Sequence, residues 1–71
     1  MLNWRIRNAK DSTVWCRRDG WVEPGFSLES VFTDEEKDGV DSWYGEFPKY
    51  DERRELADLL LTKNAEWERT A

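Results

Sequence analysis

The chain has 71 residues, 38% of them hydrophobic and 38% charged, with a formal net charge of −5, one cysteine and no histidine. That length holds a single domain, expected to span residues 1–71, with a small core. One cysteine excludes an intramolecular disulfide framework and a cysteine zinc site, and the missing imidazole removes the usual base of neutral-pH catalysis.

Five tryptophans, three phenylalanines and two tyrosines concentrate apolar area in few positions and argue against disorder. The start, Met1-Leu2-Asn3-Trp4-Arg5, lacks the apolar run of a signal peptide, and Leu59-Leu60-Leu61 is far too short for a membrane span. A cytoplasmic location is therefore expected. Charge is uneven: residues 1–20 balance at +3 and residues 21–71 at −8, with only Lys37 opposing eight carboxylates between 23 and 46.

Leu2, Trp4 and Ile6 alternate with Asn3, Arg5 and Arg7, the period-2 pattern of a first strand. A turn over 8–12 leads to a second strand, Thr13 to Arg18. Asp19-Gly20, a favoured pair for a two-residue type I′ turn, leads to a third, Trp21 to Glu23. In this register Ile6 faces Trp15, Arg7 faces Val14, Arg18 faces Trp21 and Arg17 faces Val22. One sheet face then carries Leu2, Trp4, Ile6, Trp15 and Val22, with Arg17 at its margin. The other carries Arg5, Arg7, Val14, Cys16, Arg18, Trp21 and Glu23.

Residues 26–32 suggest a fourth strand with Phe26, Leu28 and Phe32 inward. Thr33-Asp34-Glu35-Glu36 has the form of a capping box, opening one helical turn over 34–38 that Gly39 ends. The same carboxylates superficially follow a calcium loop, but its twelfth position is Gly45 and its third is Glu, so no metal and no other cofactor is expected. Four aromatics between Trp43 and Tyr50 stand on an irregular connector, either as a lid over the sheet or displayed on a loop. So small a sheet favours the lid. Asp51 is a plausible N-cap for a C-terminal helix whose stripe runs through Leu56, Leu59, Leu60 and Trp67.

These elements compose a small α+β fold: a three- to four-stranded antiparallel meander packed against one C-terminal helix. Its expected core is Trp4, Ile6, Trp15, Val22, Phe32, Leu56, Leu59, Leu60 and Trp67. No catalytic residue is assigned. Cys16 has no imidazole to activate it and reads as a small buried hydrophobe.

Function is expected to be binding rather than catalysis. In the first reading the chain docks on a protein with a basic surface, through Trp21, Trp43 and Tyr44 framed by Glu35, Glu36, Asp38 and Asp41, the carboxylates standing in for nucleic-acid phosphates. In the second, Arg5, Arg7, Arg18 and Trp21 on one strand face hold a nucleic acid, although the net charge weighs against it. A third is a structural subunit of a virion or complex. Oligomeric state is left open.

The series Trp4-Arg5-Ile6-Arg7-Asn8, Val14-Trp15, Asp19-Gly20-Trp21-Val22 and Val31-Phe32-Thr33-Asp34-Glu35-Glu36-Lys37 resembles small uncharacterised proteins encoded by bacteriophages and prophages. The resemblance covers residues 4–37 and implies an early or accessory phage product. Such products include inhibitors of host enzymes and of defence complexes, among them anti-CRISPR proteins. It carries over no functional residue.

Overall fold

A computed structural model describes residues 2–25, 27–42, 50–62 and 64–70 of the chain. It has an α+β architecture in which a five-stranded antiparallel sheet carries two helices. The strands are β1 (Leu2–Asn8), β2 (Val14–Cys16), β3 (Gly20–Val22), β4 (Phe32–Thr33) and β5 (Ala65–Arg69). The helices are α1 (Asp34–Asp41) and α2 (Glu52–Thr62).

β1 is central. One of its edges pairs with β5 along Trp4↔Arg69 to Asn8↔Ala65. The other is shared, with β4 near Trp4↔Phe32 and β2 at Arg7↔Val14, and β3 follows outside β2. The meander of β1, β2 and β3 and the β1–β2 register follow the sequence pattern.

The β2–β3 register does not. Trp15 pairs with Trp21 and Cys16 with Gly20, so the turn is Arg17-Arg18-Asp19 rather than Asp19-Gly20. A type I′ turn needs positive φ at both central residues. Here Gly20 has φ +79°, while Asp19 is not among the residues with positive φ. The shift is an odd number of residues and therefore exchanges the faces of β3. Trp21 joins Trp15 on the helix side, edge to face at 5.3 Å, and Val22 turns to the opposite side beside Val14.

Between β3 and β4 the expected strand is replaced by a single 3-10 turn at Leu28–Ser30, and β4 keeps only Phe32–Thr33. Leu28 is 59% exposed rather than inward, and Phe26 lies outside the described residues. The capping box is present, with Glu36 N–H donating to Thr33 Oγ1 at 3.1 Å and Thr33 N–H to Glu36 Oε1 at 2.9 Å. Helix α1 nevertheless runs to Asp41, through Gly39. Val40, buried one residue past that glycine, rewards the extra turn.

Asp51 caps α2 by accepting from Arg53 N–H at 2.9 Å. The helix ends at Thr62, and Asn64 in the left-handed region, φ 54°, turns the chain back. Trp67 therefore stands on strand β5 and not on the helical stripe, where Arg5 and Arg7 opposite Glu68 and Glu66 hold the register.

The core cluster is Ile6, Phe32, Val40, Leu56, Ala57 and Leu59, with Trp4, Trp15, Trp21, Leu60, Ala65 and Trp67 half-buried around it. Of the expected core only Val22 lies elsewhere. Val14 and Cys16 are buried on the other sheet face, where Arg5 and Arg7 interlock with Glu66 and Glu68. No helix of the described residues is long and apolar enough to cross a membrane.

Candidate functional site

Helix α1 divides its charged residues between two flanks. Asp34, Lys37 and Asp41 lie three and four positions apart, which places them on one side. Trp4 Nε1 donates to Asp34 Oδ1 at 2.6 Å and Trp67 Nε1 to Asp41 Oδ1 at 3.0 Å. Between them Lys37 Nζ sits 4.7 Å from the Trp4 ring centroid and 2.6 Å from Asp41 Oδ2. This flank fastens the helix to two indoles of the sheet. Glu35 and Asp38 occupy the other flank, exposed and without an ion pair among the described residues.

The N-terminal ends of both helices converge on Arg17 in the β2–β3 turn. Its Nη2 lies 2.6 Å from Glu36 Oε2, its Nε 2.7 Å from Glu52 Oε1, and its Cζ 4.1 Å above the centroid of the Phe32 ring. The guanidinium joins the starts of α1 and α2 across the hairpin and covers the most buried aromatic of the core. No local spacing announces this, because residues 17, 36 and 52 meet only in the folded chain.

An open groove of about 280 Å³ runs between the helices. Val40 and Leu56 form its floor, and Glu35, Glu36, Asp51 and Glu52 stand around it. Arg53 is held by Asp51 through Nε at 3.0 Å and Nη2 at 2.7 Å. That double hydrogen bond, with the Arg53 backbone N–H, lowers the Asp51 carboxyl to about 2. Asp51 thus stays ionised through ordinary pH. Glu36 and Glu52 are engaged by Arg17, which leaves Glu35 as the carboxylate of this rim facing solvent without an ion pair among the described residues.

Of the acidic residues expected to bind a partner, Glu35 and Asp38 are thus displayed, whereas Glu36 and Asp41 are occupied within the fold. Trp21 is half-buried against the core, so it is not presented beside them. Trp43 and Tyr44, with most of the proposed lid, lie outside the described residues, and Tyr50 at its end is 91% exposed.

The four residues of the nucleic-acid reading are not brought together. Arg5 and Arg7 share a face but are paired with Glu68 and Glu66, Trp21 lies on the opposite face, and Arg18 projects from the turn beside Asp19 at 3.7 Å. Among the described residues no group of three or more Asp, Glu, His or Cys side chains is placed to hold a metal ion. Compared with known proteins, the chain matches no family model, and no curated protein or solved structure is significantly similar to it.

Proposed function

We propose that the chain is a non-enzymatic acidic binding module that docks on a basic surface of a protein partner through the α1–α2 side of the domain. The observation that supports this is the open groove with an apolar floor of Val40 and Leu56 and a carboxylate rim. Glu35 on that rim and Asp38 one helical turn further along the exposed flank of α1 are charges that the fold does not consume. An apolar floor accepts the aliphatic stem of a lysine or arginine while the rim meets its charged end. The net charge of −5 steers such a partner over longer range.

The resemblance to phage-encoded proteins supplies a setting. In it the module is an accessory product that inhibits a host enzyme or defence complex, in the manner of an anti-CRISPR protein, by covering a groove built for nucleic acid.

The test begins with capture of a partner from a bacterial lysate by the tagged chain. Association kinetics against that partner then follow for the wild type and for Glu35→Lys with Asp38→Lys. The double variant should slow association about tenfold at low salt and flatten its salt dependence. Unchanged kinetics, or capture abolished by nuclease, would refute the reading.

A further inference from the structure

The outer edge of β5 has a defined hydrogen-bonding phase. Asn8 N–H donates to Thr13 C=O at 2.7 Å, and Ala9 N–H donates to Asn64 C=O at 2.8 Å. Even-numbered residues of β1 thus point their backbone toward β2, and odd-numbered ones toward β5. Carried along the pairing of Arg7 with Glu66 and Arg5 with Glu68, this phase aims Glu66 and Glu68 backbone groups at β1. The N–H and C=O groups of Ala65, Trp67 and Arg69 face outward, and among the described residues no strand pairs with them.

This edge has no proline, and its five consecutive pairs with β1 run without a bulge, so its protection rests on the charges of Glu66, Glu68 and Arg69. β3, which lies at the far edge on the β2 side, has only three residues.

The side chains decide what such an edge admits. Glu66 and Glu68 stand two residues apart on the sheet face opposite the helices, Glu66 with 57% of its side chain exposed. A second copy of the chain, paired antiparallel in the required phase over most of β5, brings carboxylates face to face. Centred on Trp67 it sets Glu66 against Glu68. One step either way it sets Glu66 or Glu68 against its own counterpart. Like charges in directly opposed positions destabilise a pair, and two chains of −5 repel besides. Lysine or arginine at alternate positions instead places cations on the outer side of carboxylates that Arg5 and Arg7 already flank on the inner side, most directly at the more exposed Glu66.

We infer that the β5 edge is a strand-addition site for an extended cationic segment of a protein partner. The segment continues the sheet through the backbone groups of Ala65, Trp67 and Arg69, with alternate basic side chains over Glu66 and Glu68 and apolar ones beside Trp67. The inference uses no residue of the α1–α2 groove and stands or falls separately from it.

The probe is a capped seven-residue peptide with lysine at every second position and valine or threonine between, titrated into the full 15N-labelled chain. Amide shifts should concentrate at Ala65, Trp67 and Arg69, and these amides should exchange rapidly in the free protein and slowly in the complex. The same peptide N-methylated on the residues that face the edge keeps its charges and should bind about tenfold more weakly, since it forfeits several backbone hydrogen bonds. A glutamate analogue should not bind, and Glu66→Lys should weaken the lysine peptide and admit the glutamate one. Equal binding of the N-methylated peptide, shifts confined to α1 and α2, or outward amides already protected in the free chain would each overturn the inference.

Discussion

Trp67 Nε1 donates to Asp41 Oδ1 across 3.0 Å, joining strand β5 to the last residue of α1 over 26 positions of sequence. The contact accounts for two things at once. An acidic residue late in a helix opposes the negative helix end, and the indole with Lys37 supplies the reason it is retained. It also removes Asp41 from the set of carboxylates free to meet a partner. Trp67→Phe keeps an aromatic ring but loses the donor and part of the packing surface, and should destabilise the fold by about 1–2 kcal/mol in urea unfolding. Asp41→Ala should cost a similar amount. The double variant should cost less than the two together, because both singles break one contact.

Arg17 is the second internal tether. Its side chain is 28% exposed, so its ion pairs with Glu36 and Glu52 are partly screened, while its stacking on Phe32 is less so. Arg17→Ala should lower stability by about 1–2 kcal/mol, the range for one cation–π contact and two partly exposed pairs. Arg17→Lys should recover less than half, since an ammonium cannot span both carboxylates and lie flat on the ring. Guanidine-free thermal unfolding at low and high salt separates the two contributions: salt should narrow the difference without abolishing it.

Gly39 and Gly20 should respond oppositely to alanine. A Cβ at Gly39 would meet Arg53 Cδ at 3.6 Å, an ordinary contact, in the interior of α1. Gly39→Ala should therefore stabilise the domain by about 0.5–1 kcal/mol through helix propensity. Gly20 holds φ +79°, so Gly20→Ala should destabilise by about 1 kcal/mol or more. Paired equilibrium unfolding curves decide both.

Asp51 supplies an acid-sensitive element. Its carboxyl sits at about 2 in the folded chain against an ordinary 3.8, because Arg53 donates to it from side chain and backbone. A lowered folded value adds stability above pH 3.8 and loses it as pH falls from 3.8 toward 2. Asp51→Asn retains a cap acceptor but has nothing to titrate. Its stability should decline less steeply across that window, read from tryptophan fluorescence during acid titration of both proteins.

Much of the architecture was legible in local chemistry. The alternation of Trp4 and Ile6 with Arg5 and Arg7 marked β1, and Thr33 with Glu36 marked the start of α1. Asp51 and the Leu56, Leu59 and Leu60 stripe marked α2. Each signal lies within a few residues and acts through short-range sterics or a single turn. The errors share another property. Trp67 reads as a helical position when Leu60 is its neighbour on a wheel, but becomes a strand position once β1 offers Arg5 and Arg7 to Glu68 and Glu66. Trp21 changed faces because Asp19 does not take the positive φ that a two-residue turn requires. The site divided the same way: the acidic stretch was visible as composition, while the identity of its free members was not.

The order of residues alone determined that this is a small acidic α+β chain, where its first strand and both helices begin, and that much of its apolar area lies in aromatic rings. These follow from periodicity, capping and composition, which are properties of neighbours. Only the tertiary structure decided that Arg17 gathers the two helix starts, that Asp34 and Asp41 serve indoles, and that Glu35 and Asp38 stay in solvent. Pairings between residues 17 and 52, or 4 and 34, depend on where the sheet carries each segment, and no local preference encodes that distance.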